Sequence, residues 1–415
     1  MRWATAATIL LLAGTSHAQT TILRAKAFVD VDAGRLVQPA VVVVKDDRIQ
    51  SVNPKSMPDG QQVDLGDLIL LPGVMDMHTH LTMDVDKDFF DRPVKETAAD
   101  AALRGARNAR KTLLAGFTTV RDVGGRGFAD IALMHAIDKG LVDGPQMFAA
   151  GHPITITGGH ADDGGFAPGI AERGPEGGVA DGPDEVVKAV RYQIKHGAKL
   201  VKIMATAGVL SFEGPVGAQQ LSDAEMRAVV EEAARHGLKV AAHAHGKDGI
   251  IAAVRAGVAS IEHGSEIGPE AIALMKQRGT YLVPTTYLAD ALDVTKLPAQ
   301  QRVKAEKVLP IAKQNLREAI RAGVKIAFGT DAAVYPHGDN SKEFAALVAR
   351  GMTPADALRS ATVNAADLLG VTDRGRIAEG LRADLIAVAG NPLEDVHVLE
   401  SPRFVMKAGQ IYKRP

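Results

Sequence analysis

Apolar and polar positions change their period twice along the chain. Between residues 20 and 66 the apolar positions form short β-branched runs broken by polar turns. In 40–52, AVVVVKDDRIQSV, the turn Lys45-Asp46-Asp47-Arg48 separates two such runs. The far end behaves alike, with short apolar runs and Gly-containing turns at 383–390 and 403–413. The middle alternates instead. Continuous apolar runs at 68–78, 118–123, 146–151, 200–205, 238–245, 260–264, 281–286 and 325–332 predict eight strands. Helical periodicity at 95–115, 183–196, 222–236, 247–256 and 301–322 predicts helices between them. Ser222 and Glu225 have the spacing of a capping box, Thr353-Pro354 starts a helix and Gly370 ends one.

Strands that are apolar throughout are buried on both faces, as in a parallel sheet covered by helices. The expected fold is α/β: a (β/α)8 TIM-like barrel with a small β-sandwich built from both termini. A doubly wound open sheet stays open as the alternative at this level. The expected division is a barrel over 67–374 and a sandwich formed by 19–66 and 375–415. Residues 1–18, MRWATAATILLLAGTSHA, combine a basic start, an apolar stretch short for a bilayer and the small-x-small close Ser16-His17-Ala18. They predict a cleavable signal peptide and a secreted or periplasmic product. A buried N-terminal helix or an uncleaved anchor is the alternative. No other run reaches the apolar length of a membrane span, so no membrane association is expected after cleavage. Residues 152–182 are rich in Gly and Pro without helical period, and a loop this long in a compact domain is usually functional or disordered. In a barrel it would follow the third strand at the catalytic rim.

Composition narrows the chemistry. With 48 basic against 49 acidic residues, bulk charge gives no reason to expect nucleic acid or an anionic membrane as partner. The absence of cysteine removes disulfides, thiolate zinc sites, iron–sulfur clusters and a thiol nucleophile together. Thirteen histidines remain, so metal chemistry must rest on imidazole and oxygen ligands.

The predicted strand ends carry those ligands. His78 and His80 are two apart, and positions i and i+2 of a strand point to one side. Lys202 interrupts the apolar strand LVKIMATAG, where a cation is expensive unless neutralised or paired. His243 and His245 close the fifth strand, Glu262 and His263 the sixth, and Asp331 the eighth. Each alone has a bland reading: a satisfied core histidine, a lysine snorkelling to the rim, a capping aspartate. Their coincidence at the C-terminal ends of strands, where barrels do chemistry, is what singles them out.

In its stretches LPGVMDMHTHL, GFTTVRDVGG, VKIMATAGVLS, VAAHAHG, SIEHG, FGTDAAVYPHG and ATVNAADLLG the chain resembles the amidohydrolase superfamily. The resemblance covers nearly the whole mature chain and is strongest to the imidazolonepropionase-related branch that includes Xaa-Pro-type dipeptidases. It implies two divalent metal ions, zinc by expectation. His78 and His80 would bind the more buried ion. Lys202, carbamylated by CO2, would bridge both. His243 and His263 would bind the second ion, with His245 as the alternative to His243. Asp331 would bind the first ion and act as general base. An uncarbamylated lysine beside a single metal is the competing picture. The implied reaction is attack of metal-bound hydroxide on the amide before a C-terminal amino acid, in a dipeptide, an N-acyl amino acid or an ochratoxin-type amide. Cyclic-amide or lactone hydrolysis is the second reading. A barrel retained only for binding predicts a lost ligand, and every implied ligand is present. His160 in the long loop is the first candidate substrate contact, followed by His245, Tyr287 and His337. The outer helices offer area for a homo-oligomer.

Overall fold

The computed structural model describes residues 20–211 and 214–415, and the expected signal segment 1–18 lies outside the described residues. Strands come first: β1 (Thr20–Ala25), β2 (Ala27–Asp30), β3 (Arg35–Val37), β4 (Ala40–Lys45), β5 (Arg48–Val52), β6 (Gln61–Asp64) and β7 (Ile69–Pro72). Strands and helices then alternate: β8 (Val74–Thr79), α1 (Arg92–Lys95), α2 (Ala98–Leu114), β9 (Phe117–Asp122), α3 (Ala129–Asp138), β10 (Gln146–Ala149), α4 (Pro183–Lys195), β11 (Val201–Met204), α5 (Asp223–Arg235) and β12 (Val240–Ala244). The alternation continues through α6 (Lys247–Ala256), β13 (Ser260–His263), α7 (Pro269–Arg278), β14 (Tyr281–Val283), α8 (Leu288–Ala291), α9 (Ala299–Arg321), α10 (Lys342–Ala349), α11 (Pro354–Ser360) and α12 (Val363–Leu369). The strands β15 (Leu385–Val388), β16 (Phe404–Lys407) and β17 (Gln410–Lys413) close the chain.

The central strands form two parallel sheets, ordered β10-β9-β8 and β11-β12-β13-β14. Isolated parallel bridges join them further. Ile154, just past β10, bridges Ile203 of β11, and residues 326 and 332 bridge Leu282 of β14 and Thr79 of β8. Apolar side chains of these strands share one buried cluster with helix faces, including Ile203, Ala242, Ile261 and Leu282 with Val186, Val190, Met226 and Val229. All four β11 residues are buried, as a parallel strand covered on both sides requires.

The two outer sheets are ordered β5-β4-β1-β6 and β17-β16-β15-β7-β2-β3, so each end of the chain contributes to the second. Alternate residues of β4 face opposite ways: Val42 and Val44 pack with Leu70, Leu385, Phe404 and Met406 of the other sheet, while Val41 and Val43 pack with Ile22. No described helix is long and apolar enough to cross a membrane.

Three details depart from the sequence reading. The run 68–78 is two strands divided at Gly73, with β7 paired to β15 and β2 and β8 paired to β9. Gly73 donates its N–H to the Asp384 carbonyl at 2.7 Å, and a Cβ there would lie 2.2 Å from the Thr118 hydroxyl oxygen. The chain can thus pass between the two sheets only at a residue without a side chain. The helix expected over 95–115 breaks before Thr97. That residue is extended, caps the Asp100 N–H and receives the reciprocal bond of a capping box, so α2 starts there afresh. The run 325–332 is no regular strand. It keeps bonds to its neighbours, Met77 N–H to Phe328 O at 2.8 Å and Asp331 N–H to His78 O at 2.7 Å, but Asp331 has φ 58° and breaks the extended conformation.

Candidate metal centre

The period of β8 puts Asp76, His78 and His80 on one side of the strand. Asp76 is fully buried and accepts the Thr330 hydroxyl at 2.6 Å, the Asn340 amide at 2.8 Å and the Thr330 N–H at 3.1 Å. Burial pushes its carboxyl up to about 6 against those donors. This knot ties β8 to residues 330–340 and delivers Asp331 to the two histidines. Asp331 Oδ1 lies 3.5 Å from Nε2 of both His78 and His80.

Lys202 comes from β11, His243 from β12 and His263 from β13, adjacent strands of one sheet. One ligand atom each from His78, His263 and Asp331 lies within 4.8 Å of the others, and the same holds for His243, His245 and His263. The structure therefore brings His78, His80, Lys202, His243, His245, His263 and Asp331 around one cavity.

The donor set fits divalent cations. His78 Nδ1–H donates to Glu262 at 2.8 Å and His80 Nδ1–H to the Gly124 carbonyl at 2.9 Å. Nδ1 of His245 meets the Ser265 hydroxyl at 2.7 Å, and Nδ1 of His263 the Thr285 hydroxyl at 2.8 Å. One ring nitrogen is held and the other left for a ligand bond, the usual arrangement behind metal-binding histidines. His243 Nε2 is buried and has no hydrogen-bond partner among the described residues. Burial keeps these imidazoles neutral, lowering His80 and His245 to about 4 and holding His78, His243 and His263 well below the usual range. Neutral imidazole is the ligating form. Lys202 is 1% exposed, and its Nζ makes no hydrogen bond or ion pair among the described residues. Burial lowers its ammonium to about 8. Burial also raises Asp331 to about 7, and a cation among these donors would pull it back down.

Backbone strain collects at the same rim. His263, Thr285 and Asp331 have φ of 67°, 48° and 58°. Non-glycine residues in this region cost about 1–3 kcal/mol each and persist where their surroundings over-determine them.

Behind the centre lies a buried ion-pair network that the sequence did not reveal. Glu262 is fully buried and, besides His78, accepts an Arg121 N–H at 2.7 Å. Arg121 also donates to the Met77 carbonyl at 2.6 Å and to Ser260 at 2.9 Å. Arg121→Ala would leave the Glu262 carboxylate buried without its cation, and such a break costs about 3–5 kcal/mol. Urea denaturation of the metal-free protein should read this loss as a lowered midpoint, and an unchanged midpoint would show that Glu262 does not depend on Arg121.

The cavity measures about 250 Å³. Phe89, Phe90, Phe166, Leu210, Leu288, Leu292, Leu309 and Leu316 give the lining a large apolar share. Its other acids are committed. Asp163 pairs with Arg126 and with Arg173 at 3.1 Å, and Asp162 lies 3.6 Å from Arg173. Of the candidate substrate contacts, His160 lines the cavity, stacks on His243 at 4.1 Å and meets the Ser211 hydroxyl through Nδ1 at 2.7 Å. His245 also lines it. Tyr287 and His337 are not brought to the lining. The Tyr287 ring packs edge-on against Tyr335 at 5.0 Å, and His337 turns back to donate to the Met83 carbonyl at 2.9 Å. Arg126, Asp162, Asp163 and Arg173 were not singled out from sequence, although the long loop that carries three of them was.

Comparison with known proteins agrees with this geometry. A model of the amidohydrolase family matches residues 69–412. Ochratoxinase of Aspergillus niger is 35% identical over 437 aligned positions, covering 98% of this chain and 89% of the relative. A crystal structure of a Xaa-Pro dipeptidase with methionine bound in its active site superposes with a TM-score of 0.91 at 40% identity, covering 95% of this chain and all (100%) of that one. A prolidase complexed with N-methylphosphonate-L-proline gives 0.86 at 33% identity, over 96% of this chain and 100% of that one.

Proposed function

The chain belongs to the amidohydrolase family and is a hydrolase of amide or peptide C–N bonds; from that premise we propose that it is an exported enzyme with two divalent metal ions that releases a C-terminal amino acid from an acylated precursor. The observation that carries the reading is the set of buried imidazoles, each neutral and most with one nitrogen held and one left open, around a buried lysine that makes no direct hydrogen bond or ion pair among the described residues. The bridged order of the two central sheets supports a closed (β/α)8 barrel, and the shared core of the outer sheets supports a small β-sandwich. The pattern of residues 1–18 supports export.

His78, His80 and Asp331 would hold one ion, and His263 with His243 or His245 the other. Zinc suits this imidazole-rich donor set. When bound, the ions supply Lewis acidity toward the scissile carbonyl and the attacking water. Lys202 would resolve its own burial by losing its ammonium proton, adding the neutral Nζ to the carbon of CO2 and releasing a second proton. The product would be a carbamate, an anion whose two oxygens could serve as metal ligands. Asp331 takes a proton from the attacking water and returns one to the amide nitrogen as the C–N bond breaks, so the leaving group departs as a neutral amine.

The substrate's acyl part faces the apolar share of the lining. A free N-terminal ammonium entering there would find Asp162 and Asp163 already paired to arginines. The favoured substrates are therefore N-acyl amino acids with a neutral, bulky acyl group, ahead of free dipeptides. The cyclic-amide reading has no such observation in its favour. The test is a screen of Xaa-Pro, Xaa-Phe and Xaa-Arg dipeptides against their N-acylated counterparts, read by amino-acid release. A neutral acyl group should raise kcat/KM about tenfold or more over the free amine, since an unpaired charge is costly in an apolar site. Chelation should abolish release and added zinc restore it. Full turnover by metal-free protein would end this reading, and no turnover of any open-chain amide would favour cyclic substrates.

A further inference from the structure

One buried carboxylate near the site has no part in the chemistry so far. Glu343, in the first turn of α10, is fully buried, and among the described residues no cation forms an ion pair with it. Its two oxygens accept from successive backbone amides, Oε1 from Thr286 N–H at 2.8 Å and Oε2 from Tyr287 N–H at 2.7 Å. These amides follow Thr285, whose φ of 48° is an outlier for a β-branched residue. The Thr285 hydroxyl in turn meets His263 Nδ1 at 2.8 Å. Thr285 and Thr286 both line the cavity.

We propose that Glu343 is a positioning residue for the metal centre. Its carboxylate clamps the amides of Thr286 and Tyr287, holds Thr285 in the left-handed conformation, and so fixes the hydroxyl that orients His263. Thr285 has no conformational reason of its own to stay there. Two hydrogen bonds to a carboxylate are stronger than neutral ones and suffice to over-determine a single strained residue. Burial pushes the Glu343 carboxyl up, and the two amides oppose it by favouring the ionised acceptor. The inference rests on the reading of His263 as a metal ligand.

Glu343→Gln separates this role from bulk packing. It keeps the volume and one acceptor but turns an NH2 toward the second amide. Thr285→Val removes the hydroxyl and keeps the branched shape, and Thr285→Ser keeps the hydroxyl. Zinc stoichiometry and dissociation constants are measured on purified protein by competition with a chromophoric chelator, with the thermal midpoint of the metal-free forms alongside. Glu343→Gln and Thr285→Val should each weaken zinc binding about 10- to 100-fold, the usual loss on removing a group behind a ligand. Thr285→Ser should stay near wild type. The double variant should be no weaker than the weaker single one, because both act along one chain of contacts. Native zinc affinity in Glu343→Gln, whatever its thermal midpoint, would overturn the proposal. If Glu343→Gln does not fold, native affinity in Thr285→Val overturns it instead, as do losses that multiply in the double variant. A wild-type protein that binds no zinc, manganese or cobalt would sink the reading of the centre itself, which is a different result.

Discussion

Lys202→Ala is expected to lose metal and turnover together. Among the described residues Lys202 is the one cation inside the candidate ligand cluster, and the carboxylates of Glu262 and Asp331 act on its charge without a direct ion pair. Carbamylated, it would supply a second anion beside Asp331, which lies 3.5 Å from His78 and His80 and within 4.8 Å of a His263 ligand atom. Removing it leaves mainly neutral imidazoles to hold two doubly charged ions. A loss of several kcal/mol of charge stabilisation corresponds to a fall of about 10³-fold in kcat/KM. Stability should move the other way from activity. Deleting the buried ammonium removes a desolvation cost that outweighs its attraction to Glu262 and Asp331, so the urea midpoint of the metal-free variant should not drop as a packed lysine stem alone would suggest. Lys202→Met, which keeps that stem volume, isolates the charge. Both variants should hold markedly less zinc by elemental analysis. A short carboxylate added to Lys202→Ala should restore part of the turnover by entering the space and replacing the anion. Wild-type zinc content and turnover in Lys202→Met would leave the lysine without a bridging role.

The candidate ligands stand out in the sequence because each breaks a local pattern. A histidine pair at spacing two, or a lysine inside an apolar strand, is visible without knowing what lies opposite. What supports the ligands was not legible, because it is assembled across the chain. Arg121 and Glu262 look like polar residues at the ends of separate strands, and only the fold makes them a buried pair behind His78. Glu343 sits in a short, mostly apolar helix, and its bonds go to amides more than fifty residues earlier in the chain. Tyr287 and His337 follow the strand ends closely in sequence, but the Tyr287 ring turns to Tyr335 although Thr286 and Leu288 line the cavity, and the lining ends at Val334, before His337. Seven of the eight central runs form strands, 325–332 does not, and the joints between them were read less well. Gly73 is a crossing point only because Thr118 lies against it, a fact no local window contains.

Asp331→Asn should separate the two duties assigned to Asp331. The amide keeps the size of the carboxylate and one oxygen toward Nε2 of His78 and His80, so a metal-saturated variant should retain most of its zinc. It cannot accept a proton. Proton transfer by a positioned group is worth about 10²–10⁴-fold, so kcat should fall by that order while KM stays within a few-fold. Asp331→Ala removes the oxygen as well and should lose zinc in addition, which gives the comparison its meaning. The backbone should tolerate Asn better than Ala, because Asn adopts the left-handed conformation that φ 58° requires more readily. A metal-saturated Asp331→Asn enzyme with kcat within tenfold of wild type would assign the proton to another group. Asp162 and Asp163 are committed to Arg173 and Arg126, so that group would be an imidazole, with His160, stacked on His243 at 4.1 Å, the next in reach. Burial lowers His160 to about 3, which makes it a weak base for water. The carboxylate is therefore the group in this cavity whose basicity and placement both suit the transfer, and the Asn variant tests both at once.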